Sequence, residues 1–174
     1  YYLKKSLVSK HNIKVGKIDN IIKSNFSTII IPETAKIPNE YYEKLNDWLL
    51  QGGTLIRFSG KSLAQEKSKF LPSQDTYSRI RNIEGQLTIN NKLFISEFEK
   101  DSIFSGLQIP QDIIINKQLI FDTYSKQVNV LAKLNDNTPL VSMKKFGEGK
   151  IILFHIGANN DWSNLPISSL FPDM

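Results

Sequence analysis

The sequence predicts an α/β fold, with a parallel sheet opened by a β-α-β unit and a β-rich C-terminal half beside it. Three observations carry that expectation. Two short apolar runs, Thr28–Ile31 and Thr54–Phe58, read as strands buried on both faces of a sheet. Between them, Tyr41, Leu45, Trp48 and Leu49 recur at helical spacing. From Gln86 onward, apolar runs alternate with turn signals, the pattern of successive strands.

Taken in order, residues 1–10 suit a short helix with Leu3 and Leu7 on one face and lysines on the other. Ile13–Val15 is a brief strand candidate. Pro32 closes the Thr28–Ile31 strand, and Pro38 with Glu40 marks the first turn of the helix, where a missing N–H is harmless and an acid suits the dipole. Gly52-Gly53 stops that helix, so the crossover to Thr54–Phe58 should be right-handed. The polar stretch 61–81 reads as a solvated surface excursion or partial helix. Strand candidates then follow at 87–89, 92–98, 113–121, 128–134, 140–146 and 151–156. Asn137–Phe146 and Lys150–Ile156 should form a hairpin across Gly147-Glu148-Gly149; that turn lacks the third glycine and the helix of a dinucleotide site.

At 174 residues the chain fits one domain, spanning 1–174, with a core that needs no staples. It has no cysteine, which excludes disulfides, thiolate nucleophiles and cysteine metal sites. Two distant histidines, His11 and His155, make a metal site improbable, and no cofactor signature is present. Residues 1–100 carry 16 Lys/Arg against 10 Asp/Glu, and residues 101–174 carry 6 against 7. The lysines at 4, 5, 10, 14, 17 and 23 read as a solvated helix face; no RNA-binding or helix-turn-helix pattern points to nucleic acid. No apolar run is long enough to span a bilayer, and the first residues lack a signal peptide's apolar core. With no initiator Met and an abrupt end after Phe171, the chain reads as a domain excised from a longer protein.

Four segments resemble a known family. They are GGTLIRFSG at 52–60, DSIFSGLxIP at 101–110, LNDNTPLV at 134–141 and FGEGKIILFHIGANNDWSNLP at 146–166. Together they resemble the class I glutamine-amidotransferase-like domain of bacterial membrane proteins with an N-terminal double-transmembrane, aerotolerance-regulator-type segment. The resemblance implies a flavodoxin-like parallel sheet flanked by helices, with an antiparallel hairpin near its end and a further strand before Tyr1. It also implies membrane anchorage in the cell envelope with a periplasmic soluble domain, partnered by other domains of the same protein or by envelope proteins.

An amidotransferase needs a Cys on a strand-to-helix elbow and a His at a later strand end, followed two residues on by Glu. Against the resemblance, Ser59 stands near the Cys position, His155 at the His position, and Gly157 where the acid belongs. The expected function is therefore a non-catalytic module that binds a partner domain or small ligand at the carboxyl ends of its strands. Asn159, Asn160, Asp161, Trp162 and Asn164 form the candidate ligand or partner loop, with Trp162 and Leu165 also fitted to plug it onto the core. Two alternatives stand beside it. One is a hydrolase of amides or esters using Ser59 and His155; the other is a saccharide-binding domain stacking sugar on Trp162.

Overall fold

The structure is a computed structural model and describes residues 1–8, 11–24, 26–64, 70–73, 78–83 and 92–174. Helices α1 (Tyr2–Val8) and α2 (Ile18–Ile22) precede strand β1 (Thr28–Ile31). A 3-10 turn at Asn39–Tyr41 leads into α3 (Tyr42–Leu50), then β2 (Thr54–Phe58) and the single turn α4 (Lys61–Ala64). Strands β3 (Ser78–Asn82), β4 (Lys117–Phe121), β5 (Val128–Lys133), β6 (Pro139–Phe146) and β7 (Gly149–Phe154) follow, with 3-10 turns at Leu165–Ile167 and Phe171–Asp173.

The main sheet has the order β1-β2-β7-β6-β5. β1, β2 and β7 run parallel, with Ile29 opposite Leu55 and Leu55 opposite Ile151. β7, β6 and β5 are antiparallel, and β3 pairs antiparallel with β4 as a separate ribbon. β7 is thus the strand at which the two ladder types meet.

Consecutive apolar residues make the parallel strands because both faces of the sheet are covered. On one face α3 lays Leu45 and Leu49 against Ile29, Ile31, Leu55 and Ile151. On the other, Phe58, Ile152, Phe154 and Leu140 meet Leu119, Ile115, Trp162 and Leu165, with Ile30 and Ile56 packed alongside. The β-α-β unit has the bounds expected of its strands, and the β6–β7 hairpin turns through Gly147-Glu148, with Phe146 opposite Gly149. Gly147 sits at φ 60, a conformation a side chain would strain.

Other expectations fail for a common reason: an apolar run needs a neighbouring ladder to become a strand. Ile13–Val15 is irregular, with Val15 74% exposed. Residues 92–98 give only isolated bridges at Leu93 and Ile95, and the 113–121 run is a strand only from Lys117. The 61–81 stretch contains α4 and most of β3. The 87–89 candidate lies outside the described residues.

Candidate functional site

The parallel strands β1, β2 and β7 deliver three short segments to one edge of the sheet: Pro32-Glu33, Ser59-Gly60 and His155 through Ala158. Ser59 and His155 each stand one residue beyond the last β2–β7 pair, Phe58 with Phe154. Both are wholly buried. Neither bonds the other's side chain. The Ser59 hydroxyl donates to the Phe154 carbonyl at 2.7 Å, and its backbone N–H reaches the carbonyls of Phe154 and Ile156.

His155 is tied on every side. Its Nδ1 lies 2.8 Å from the Leu119 carbonyl oxygen, which only accepts, so Nδ1 carries the proton. Nε2 is then the acceptor for the Ser142 hydroxyl at 2.8 Å. The His155 backbone N–H donates to Leu140 and its carbonyl accepts from Leu119. Phe121 meets the ring edge-on at 5.8 Å. Burial pushes its pKa down to about 4 against a weaker upward pull from the Leu119 hydrogen bond, so the ring is neutral at neutral pH. A general base must aim a lone pair at a substrate proton. The lone pair of His155 is occupied and sealed from solvent.

The loop after β7 divides the remaining candidates. Asn159 donates through Nδ2 to Glu33 Oε1 at 2.7 Å, while its own Oδ1 accepts the Asp161 N–H at 3.0 Å. That second bond is a local Asx turn, which fixes the chain direction into the loop. Asn160 donates to the Tyr2 hydroxyl of α1 at 3.0 Å, and Asp161 is exposed. Trp162 is only 6% exposed, because Gly157 lets the indole close on the backbone: a Cβ at 157 would lie 2.7 Å from Trp162 Cδ1. It therefore offers no face for a sugar to stack on. Asn164 reaches away from the edge, with Oδ1 accepting the Ile114 N–H and Nδ2 donating to the Asp112 carbonyl, both at 2.7 Å.

The structure thus gathers Asn159, Asn160 and Asp161 at the sheet edge, buries Trp162 and ties half-buried Asn164 to the backbone of residues 112–114. Glu33 is the edge residue that sequence reasoning missed; its position directly after β1 and Pro32 was the available signal. It is half-buried, presses its backbone against Gly60, where a Cβ would fall 2.8 Å from its carbonyl oxygen, and also accepts from the Ala158 N–H at 3.4 Å. Among the described residues no three His, Asp or Glu side chains converge as metal ligands. An open recess of about 510 Å³, lined by Glu97, Phe98 and residues 106–109, contains none of the candidates.

No family model matches this chain, and no curated protein does. Among solved structures it is similar to the cytoplasmic protein STM3548 of Salmonella typhimurium, at TM-score 0.64 and 14% identity over 99% of this chain and 82% of that one. It is similar also to the cytoplasmic protein STM1381 of Salmonella typhimurium LT2, at TM-score 0.62 and 17% identity over 99% and 80%. An exo-β-1,4-mannosidase of an Opitutaceae bacterium matches at TM-score 0.50 and 18% identity, over 86% of this chain and 23% of that one. Nothing among these points to a glutamine-amidotransferase-like domain, so the resemblance that the four segments suggested is overturned. Short glycine-bounded strands and a hairpin recur wherever a sheet needs them, and here they carried the family no further. The membrane-anchored, periplasmic placement rested on that resemblance and falls with it: two neighbours are described as cytoplasmic proteins, and no described helix is long and apolar enough to cross a membrane. What the chain shares with these structures is its mixed α/β fold.

Proposed function

We propose that the chain is a non-catalytic binding module that meets a partner domain or small ligand at the carboxyl ends of β1, β2 and β7. The crevice outside those strand ends is the usual ligand site of an open α/β sheet. We read residues 1–174 as one unit, and its three parallel strands with the α3 crossover as a flavodoxin-like arrangement.

The observation that carries the reading is the burial of Ser59 and His155, each with its polar side-chain atoms already bonded within the core. A hydrolase would need that hydroxyl and imidazole within mutual reach and open to substrate. What the edge presents instead is exposed Asn160 and Asp161 beside half-buried Glu33 and Asn159. These side chains hydrogen-bond and carry charge without supplying an activated nucleophile.

Two measurements test this. Hydrolysis of p-nitrophenyl esters and of glutamine amide should stay at the buffer rate, with Ser59→Ala indistinguishable from the parent. A rate abolished by both Ser59→Ala and His155→Gln would replace the proposal with the hydrolase. For binding, amide chemical shifts should be followed during titration with candidate partner domains and polyhydroxylated ligands. The expected shifts cluster at residues 157–161 and are weakened in Asp161→Ala; shifts clustering elsewhere would move the site.

A further inference from the structure

We propose that His155 makes the seam between the β3–β4 ribbon and the main sheet an acid-labile joint, so that acidification frees the ribbon locally while the parallel strands stay paired. Two hydrogen bonds across this seam run through that one residue. Its ring donates to the Leu119 carbonyl and its carbonyl accepts from the Leu119 N–H, at 2.8 and 2.7 Å. The ribbon's other described attachments include the Gln118 amide to the Pro139 carbonyl and the Thr138 hydroxyl, Arg81 to Asp136 and Thr138, and the Asn116 and Lys117 N–H groups to the Trp162 carbonyl.

Protonation would place a cation where, among the described residues, no carboxylate is bonded to it. The ring's partners are a hydroxyl on β6, Ser142, and a carbonyl on β4, Leu119. The rings of Phe121 and Tyr124 stand 5.8 and 6.0 Å away. Tyr124 is the titratable group beside it, raised by burial and so neutral under acid and physiological conditions. The charged residues of the packed strands are all cationic: Arg57 of β2, Arg79 and Arg81 of β3, Lys117 of β4, Lys144 and Lys145 of β6 and Lys150 of β7. The carboxylate bonded to Arg81, Asp136, lies in the β5–β6 turn and is not bonded to the imidazole. An imidazolium here gains solvation only by opening the seam.

The sign follows from the direction of the shift. The folded value, about 4, lies below the ordinary 6.5, so the open state binds the proton first and opening becomes easier as pH falls from 6.5 toward 4. Native-state hydrogen exchange by NMR tests this. Corrected for intrinsic rates, protection of the Leu119 amide should fall roughly 60-fold between pH 7 and pH 4.5, while Leu55 and Ile56 in β2 hold theirs. In His155→Gln the Leu119 protection should be flat with pH. Loss of equal size in β2, no loss in β4, or the same loss in His155→Gln would each overturn the proposal. Long-range proton–nitrogen spectra of the unaltered protein give a check that needs no variant. They should show the neutral Nδ1–H tautomer at pH 7 and a midpoint well below 6.5; the other tautomer, or an ordinary midpoint, would sink the joint.

Discussion

Two asparagines do the same job at opposite margins of the irregular layer outside the named strands. Asn135 accepts the Phe94 N–H and donates to the Lys92 carbonyl, both at 3.2 Å. Asn164 does this to Ile114 and Asp112 at 2.7 Å. In each case a side-chain amide stands in for the peptide of a missing neighbouring strand, pairing with residues i and i+2. The bridges Leu93 to Ile115 and Ile115 to Ser163 knit the layer between them. Asn164→Ala should lower stability by about 1–2 kcal/mol, from the loss of two short bonds to backbone groups that water then solvates. Asn135→Ala, at longer distances on an exposed residue, should cost less than about 1 kcal/mol. Urea melts read as midpoint shifts at constant m check both; equal costs would refute the stand-in role at Asn164. Gly157→Ala belongs to this scale too. It drives a methyl into the Trp162 ring and should cost about 1–3 kcal/mol, with tryptophan fluorescence shifting to the red as the indole is pushed outward.

Among the elements, the β3–β4 ribbon leans on the β5–β6 turn through one polar cluster. Arg81 bonds Asp136 at 2.7 Å and also the side chains of Gln118 and Thr138; the Thr138 hydroxyl reaches Asp136 at 2.6 Å. Burial alone would raise the Asp136 carboxyl, but the bonds from Thr138 and Arg81 outweigh it and hold its pKa below the ordinary value. A lowered carboxylate stabilises above its unfolded pKa, and that contribution is lost as pH falls through the folded one. Asp136→Asn should therefore melt lower than the parent near neutrality, with the gap closing under strong acid; a gap constant with pH would contradict this. Elements of this kind explain what the sequence could reveal. β1, α3, β2 and the β6–β7 hairpin were legible because periodicity, Gly52-Gly53 and Gly147-Glu148-Gly149 are local signals. The Ile13–Val15 run looked equally strand-like yet has no ladder beside it, and ladders are made by distant residues. The site was legible only as a loop. That Trp162 turns inward depends on Gly157, and that Asn164 bonds the backbone of residues 112–114 depends on a distant segment; no pattern in the loop itself announces either.

For the molecule as a whole, stability should concentrate where β2 and β7 cross between the two cores. Leu55, wholly buried beneath α3 and flanked by Ile29 and Ile151, should cost about 2–5 kcal/mol as Leu55→Ala. The same kind of truncation at exposed Ile103 should cost under about 0.5 kcal/mol; comparable penalties at both would mean the core is placed wrongly. The position of β7 bears also on how the polypeptide comes to be made. It is the middle strand of the sheet, yet it begins at Gly149, after the other four strands of that sheet have been synthesised. A nascent chain still lacking those residues holds β1 and β2 on one side and β5 and β6 on the other, with nothing to join them. Synthesis and folding of this sheet are then out of step until β7 has left the ribosome, and pairing across so long a separation is slow. Nascent chains stalled just before Gly149 should be digested by protease, and chains stalled with Phe171 clear of the exit tunnel should resist it.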